Sequence, residues 1–196
     1  PRPSPGWRPG LGPWAGRPGF DLMAQAMSGI MSVTGHPDGP PAKAGVPVAD
    51  IGCALFATYG MLSAYIGAKA TGRGQYVDAS LFDSALAFSI WDISEYWGTG
   101  REPEQLGTAN RMSAPYQAMK AADGHFVMGA TNQKLWQTLC ATLERPDLLD
   151  DARFATVSLR LANRHALVES LERSFAQQGC EHWIDRLLAV GIPAGP

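Results

Sequence analysis

Residues 51–68 carry no charged side chain, and one carboxylate, Asp50, stands directly before them. A stretch of about 18 uncharged residues is either a buried helix or the shortest segment that spans a bilayer. The composition decides between the two. Gly52, Gly60 and Gly67 recur along the run with Thr58, Ser63, Tyr59 and Tyr65, and Leu, Ile and Phe are sparse for its length. Lys43 on one side and Lys69 and Arg73 on the other give no clear inside bias. Small residues at short intervals suit close packing of one helix on another surface. The run is therefore read as an interior interface helix, ended by Thr71-Gly72, and not as a membrane span.

An acid at the start of such a helix has two readings. The first N–H groups of a helix lack intrahelical partners, and the macrodipole makes that end positive. Asp50 can be a simple N-cap, since Asp is a favoured cap residue. It can also be a nucleophile, since carboxylates attack activated acyl or glycosyl carbons. Spacing alone leaves both open.

The rest of the composition narrows the class. At 45% hydrophobic and 17% charged, the 196 residues can bury a core and leave surface for other chain to cover. Net charge is −2 with no basic block, which argues against a nucleic-acid partner. Cys53, Cys140 and Cys180 are far apart and odd in number, and the four histidines have no ligand spacing. Neither a disulfide framework nor a metal site is suggested, and a reducing cytoplasm fits. The Pro/Gly-rich lead and the close VGIPAGP read as cuts through a longer chain.

Along the chain, residues 20–31 show helical spacing, and residues 35–47 form a Pro-rich loop. A short strand is expected at 76–79, then a helix opened by Ser80 or Asp83 and running to about Trp97. Residues 98–112 read as a linker. Two strands, 116–120 and 125–130, flank Ala122-Asp123-Gly124, a hairpin signal. Helices follow at 133–143, 159–177 and 181–190. The expected fold is α/β: an incomplete Rossmann-like large domain over 1–97 (1–11 an irregular lead), then a small α+β domain over 113–196.

Four stretches in order carry a wider resemblance: GPWAGRPGFDLMAQAMSGIMSVTG, the DGPP loop, GVPVADIGCALFATYGMLSAY and TGRGQYVDASLFDSALAF. The later APYQAMKAADGHFVMGATNQKLWQTLC, RPDLLDDARF, NRHALVESLE and GIPAGP extend it, so that it covers about Gly12 to the last residue. The chain resembles the family III CoA-transferases. The first eleven residues match poorly, and a member of that family would carry further chain on both sides.

The resemblance implies that Asp50, in its G-x-x-x-x-D context, attacks an acyl-CoA thioester and forms a mixed anhydride. The CoA thiolate then attacks the Asp50 carbonyl, and an acceptor acid finally takes up the CoA. It implies an acyl-CoA and a small carboxylic acid as partners, no tightly bound cofactor, no ATP and no metal, and an interlocked homodimer for the whole protein. Phe20 occupies the place of an aromatic residue near the thioester, with Asp21 beside it. Leu81 aligns with an apolar residue of the CoA pocket, and is equally well a core residue. The rival reading is the α-methylacyl-CoA racemase branch, whose proton exchange needs an acid/base pair. There a His stands where this chain has Phe20, and phenylalanine exchanges no proton. A third reading is an inactive fragment that lacks part of its large domain. Some members of the resembled family carry a run of consecutive glycines over the intermediate; none lies between Trp97 and Pro115, which leaves formyl/oxalate specificity open.

Overall fold

The computed structural model describes residues 18–196, which divide at Gly107–Thr108 into two compact units. Expectations for residues 1–17, including the irregular lead, lie outside the described residues.

The first unit opens with α1 (Asp21–Met27) and α2 (Ile30–Val33). The single helix expected over 20–31 is broken by Gly29, whose φ of 85° is left-handed and open mainly to glycine. Then comes α3 (Val48–Thr71), closed by Gly72 in the same left-handed region, with its N–H on the Ala68 carbonyl at 2.8 Å. Residues 73–80 are irregular, and α4 (Leu81–Phe88) and α5 (Ile90–Thr99) follow. Ser80 caps α4, its hydroxyl oxygen accepting from the Asp83 N–H at 3.2 Å.

Two expectations change here. The strand at 76–79 does not form. A strand needs a neighbour for its backbone groups, and the described residues of this unit include no strand at all. The sheet of a Rossmann-like layer is thus not among them. The interior position of α3 also changes: only Ala49, Gly52 and Cys53 are buried, all near its N-terminus. Ile51, Leu55, Tyr59, Leu62 and Ile66 are exposed. Small residues let α3 approach α1 and α4 closely at one end; beyond it, among the described residues, Phe88 lies beside Phe56 and Val77 against Gly60, and most of the helix surface stays exposed. By length and composition α3 could also cross a membrane. Packing in this unit centres on Ala24, Ala49 and Ala85, with Ile30 and Leu81 against them.

The second unit holds β1 (Tyr116–Lys120) and β2 (His125–Gly129), antiparallel, with Tyr116 opposite Gly129 and Lys120 opposite His125. It continues through α6 (Gln133–Thr142), α7 (Asp147–Asp150), a 3₁₀ turn at Ala152–Phe154, α8 (Val157–Ala162), α9 (Arg164–Phe175) and α10 (Cys180–Ala189). The strand β3 (Ala194–Gly195) then pairs with β2 and completes the order β1-β2-β3. Phe126 and Met128 point inward and Val127 outward, the period-2 pattern of a sheet covered on one face. Trp136, Phe154, Leu167, Phe175 and Leu187 fill the core. Edge-on contacts of Phe175 with Phe126 and Trp183, at 5.0 and 5.2 Å, tie α9 to β2 and α10.

Candidate active site

The first turn of α3 has donors to satisfy. The Ile51 N–H already reaches the Pro47 carbonyl at 3.0 Å, a regular helical bond. The N–H groups of Ala49 and Asp50 have no such partner within the helix. Both point to Asp21, 28 and 29 residues upstream, whose Oδ1 accepts from Ala49 at 2.9 Å and from Asp50 at 3.4 Å. The second distance is long for an N–H···O bond, so Ala49 carries most of the interaction. Ala49 is fully buried, and without Asp21 its amide would be stranded.

Asp50 is therefore not the cap of its own helix. Pro47 holds the N-cap position and Asp50 is the third helical residue. The reason is tertiary: the docking of α1 brings a second carboxylate to the orphan amides, and that carboxylate takes the capping role. The Asp50 side chain is left exposed, and among the described residues it has no hydrogen-bond or ion-pair partner. A free carboxylate at a positive helix end is well placed to attack an electrophile.

The other expected residues gather around this turn to different degrees. Phe20 is the N-cap residue of α1, 69% exposed, with its carbonyl accepting from Ala24 at 3.1 Å. It adjoins the capping acid in sequence and offers a bare ring. Asp21 lies in the first turn of α1 yet serves the N-terminus of α3. Leu81 opens α4 and packs against the alanine cluster that includes Ala49. It thus supports the floor under the α3 terminus, in keeping with its reading as a core residue.

One residue was missed. Gln25 is wholly buried, and its Nε2 donates to Asp21 Oδ2 at 2.6 Å while its Oε1 accepts from the Ala44 N–H at 2.9 Å. The signal was available: Asp21 and Gln25 are four apart on one helix face, a spacing at which Gln and Asp bond. The network thus runs from the loop before α3, through Gln25 and Asp21, to the turn that carries Asp50. A separate apolar groove of about 370 Å³ lies between Ser28, Ser32, Leu86, Ile93, Tyr96 and Trp97. Asp50 does not line it.

Comparison with known proteins places these motifs. The model of CoA-transferase family III matches residues 6–196. The chain is 37% identical to the acetyl-CoA:oxalate CoA-transferase of Acetobacter aceti, covering 94% of this chain and 48% of that protein. It is 36% identical to the succinyl-CoA:glutarate CoA-transferase of Mus musculus, covering 94% of this chain and 42% of that protein. A crystal structure of a CaiB/BaiF family protein from Brucella suis superposes with a TM-score of 0.76 at 39% identity, covering 95% of this chain and 49% of that one. The chain thus spans about half the length of the curated relatives it matches. On a match that runs through both units, the chain belongs to CoA-transferase family III.

Proposed function

We propose that the protein transfers coenzyme A from an acyl-CoA to a small carboxylic acid, with Asp50 as the covalent nucleophile. The observation that carries this reading is the division of labour at the α3 terminus: Asp21 satisfies the helix amides, and the Asp50 carboxylate is left free.

The reaction balances without an external energy source. An Asp50 oxygen attacks the thioester carbonyl, the C–S bond breaks, and the CoA thiolate leaves a mixed anhydride on Asp50. The thiolate attacks the Asp50 carbonyl of that anhydride and releases the donor acid as its carboxylate. The resulting aspartyl-CoA thioester is attacked by the acceptor carboxylate, which forms a second anhydride and frees the thiolate again. Attack of the thiolate on the acceptor carbonyl yields the new acyl-CoA and restores Asp50. No proton need be removed from carbon, so a phenylalanine at position 20 is no obstacle.

Oxalate and glutarate, named for two relatives, are both dicarboxylates. Small dicarboxylates are the acceptors we assign to this protein. Anhydrides hydrolyse in water, so Asp50 needs cover during turnover. We assign that cover to the remainder of a Rossmann-like large domain and to a homodimer in the cytoplasm, with the exposed face of α3 as contact surface. No tightly bound cofactor takes part.

The test is CoA transfer from acetyl-CoA or succinyl-CoA to a panel of carboxylates in deuterated water, native protein against Asp50→Asn. Transfer by the native protein alone, without deuterium entering the α-carbon, is expected. Exchange of the α-proton with no transfer would assign the protein to racemase chemistry instead.

A further inference from the structure

We propose that Gln25 is a positioning residue for Asp50, acting through Asp21. This rests on the nucleophilic reading above, and it adds a residue four positions along α1 that touches no reacting atom.

The hydrogen-bond pattern fixes how Gln25 must lie. The Ala44 N–H can only donate, so it must meet the amide oxygen. The Asp21 carboxylate already accepts from Ala49 through Oδ1, and its Oδ2 faces the Gln25 amide nitrogen at 2.6 Å. Turning the Gln25 amide over would set N–H against N–H at Ala44. Only one orientation therefore satisfies both ends, and the Asp21 carboxylate is held against rotation. Since Asp21 in turn holds Ala49 and Asp50, the backbone at Asp50 is fixed on two sides: from the preceding loop at Ala44 and from below at Ala49. Burial of Gln25 keeps water from replacing either bond. A nucleophile held in a near-attack geometry gains rate, and small displacements are costly.

Gln25→Glu is the informative variant. Glutamate keeps the acceptor for Ala44 and replaces the donor toward Asp21 by a second carboxylate. Two facing carboxylates repel until they share a proton, which restores the lost donor at acid pH. Gln25→Met removes both bonds at every pH. Other titratable groups lie on the elements packed against α1. On α3 they are Asp50 and Cys53, with Tyr59, Tyr65 and Lys69 two or more turns further along; α4 brings Asp83, α2 brings none, and the loop between α2 and α3 carries His36, Asp38 and Lys43. All are common to the variants, so differences between their profiles isolate position 25.

The experiment measures two quantities on the protein between about pH 5 and 8, the span over which a carboxylate pair takes up its proton. One is the rate at which acetyl-CoA or succinyl-CoA acylates Asp50, trapped with hydroxylamine. The other is hydrogen exchange of the backbone amides in residues 44–50, relative to native at the same pH. For Gln25→Glu we expect acylation about tenfold or more slower near neutrality, with the deficit shrinking toward acid pH. The excess amide exchange should shrink in parallel. For Gln25→Met the deficit should be the same at every pH. A Gln25→Glu profile parallel to native, or unchanged exchange at 44–50, overturns the positioning role while leaving the reaction standing. Absence of any Asp50 adduct in the native protein overturns the reaction itself, and excess exchange that reverses at acid pH then still reports the tether.

Discussion

Exchanging the carboxylate and the amide of the two side chains that hold the α3 terminus should undo most of the damage done by changing either one. The donors and acceptors run in one line: Ala44 N–H to Gln25 Oε1, Gln25 Nε2 to Asp21 Oδ2, and Ala49 N–H to Asp21 Oδ1. In Asp21→Asn no arrangement of the two amides satisfies all of them. If the new asparagine keeps its oxygen on Ala49, its nitrogen faces the Gln25 nitrogen; flipping Gln25 moves the clash to Ala44, and flipping the asparagine moves it to Ala49. One buried donor is always stranded, which costs about 1–3 kcal/mol. Gln25→Glu alone costs a similar ~1–3 kcal/mol near neutrality, because its two facing carboxylates lack a donor between them. The double variant, Asp21→Asn with Gln25→Glu, restores the line. The glutamate at position 25 accepts from Ala44 and from the amide nitrogen of the asparagine at position 21, whose oxygen accepts from Ala49. The negative charge then lies further from the α3 amides, so a residual loss of about 0.3–1 kcal/mol is expected from the weaker helix-end interaction. Urea titration read by pulse hydrogen exchange of the α1 and α3 peptides measures this, because the two units need not unfold in one transition. A double variant as unstable as the sum of the singles would refute the reasoning.

Other consequences are as direct. A methyl group added by Gly52→Ala would overlap the tip of the half-exposed Phe88 ring, so the roughly 1 kcal/mol by which a helix favours alanine over glycine should appear in the unfolding of α3 more fully in a Phe88→Ala background than in the native one. In the second unit, the Cys180 backbone N–H on Asp123 Oδ1 at 2.8 Å is the main cause that holds the Asp123 carboxyl below its usual range, with the Cys180 thiol adding to it. A depressed folded-state value means stability that is present above the unfolded value of 3.8 and lost as pH falls through the lowered one. Asp123→Asn should therefore flatten the acid limb of a stability-against-pH curve, with a remainder from Asp147 and Asp151, lowered by Arg145 and Arg153. Burial pushes the Cys140 thiol up to about 12, so alkylation by iodoacetamide at neutral pH should spare Cys140 in the native protein and reach it only after unfolding.

The parts of the fold legible in the sequence are those set by local pattern. Phe126 and Met128 alternate with Val127, and Asp123-Gly124 marks the turn, so the hairpin follows from a dozen residues. What escaped depends on distant chain. Apolar spacing continues from Met27 to Ile30 as though one helix ran through, and only the left-handed turn at Gly29 divides it. The strand β3 is two residues long and exists because Val127 and Met128 offer an edge. The two readings of Asp50, cap and nucleophile, could not be separated locally, since the carboxylate that caps α3 comes from Asp21, 28 residues before Ala49. The uncharged length of α3 suggested an interior helix; burial, unlike helicity, depends on what lies alongside, and among the described residues only its first turns are buried.

Covalent acylation of Asp50 is read by chemical trapping. The protein is incubated with acetyl-CoA or succinyl-CoA, quenched with hydroxylamine and digested, and the peptides are weighed. A hydroxamate mass on the peptide that contains Asp50, absent from Asp50→Asn, is the predicted result. An unlabelled Asp50 during active CoA transfer, or a label on another carboxylate, would contradict it.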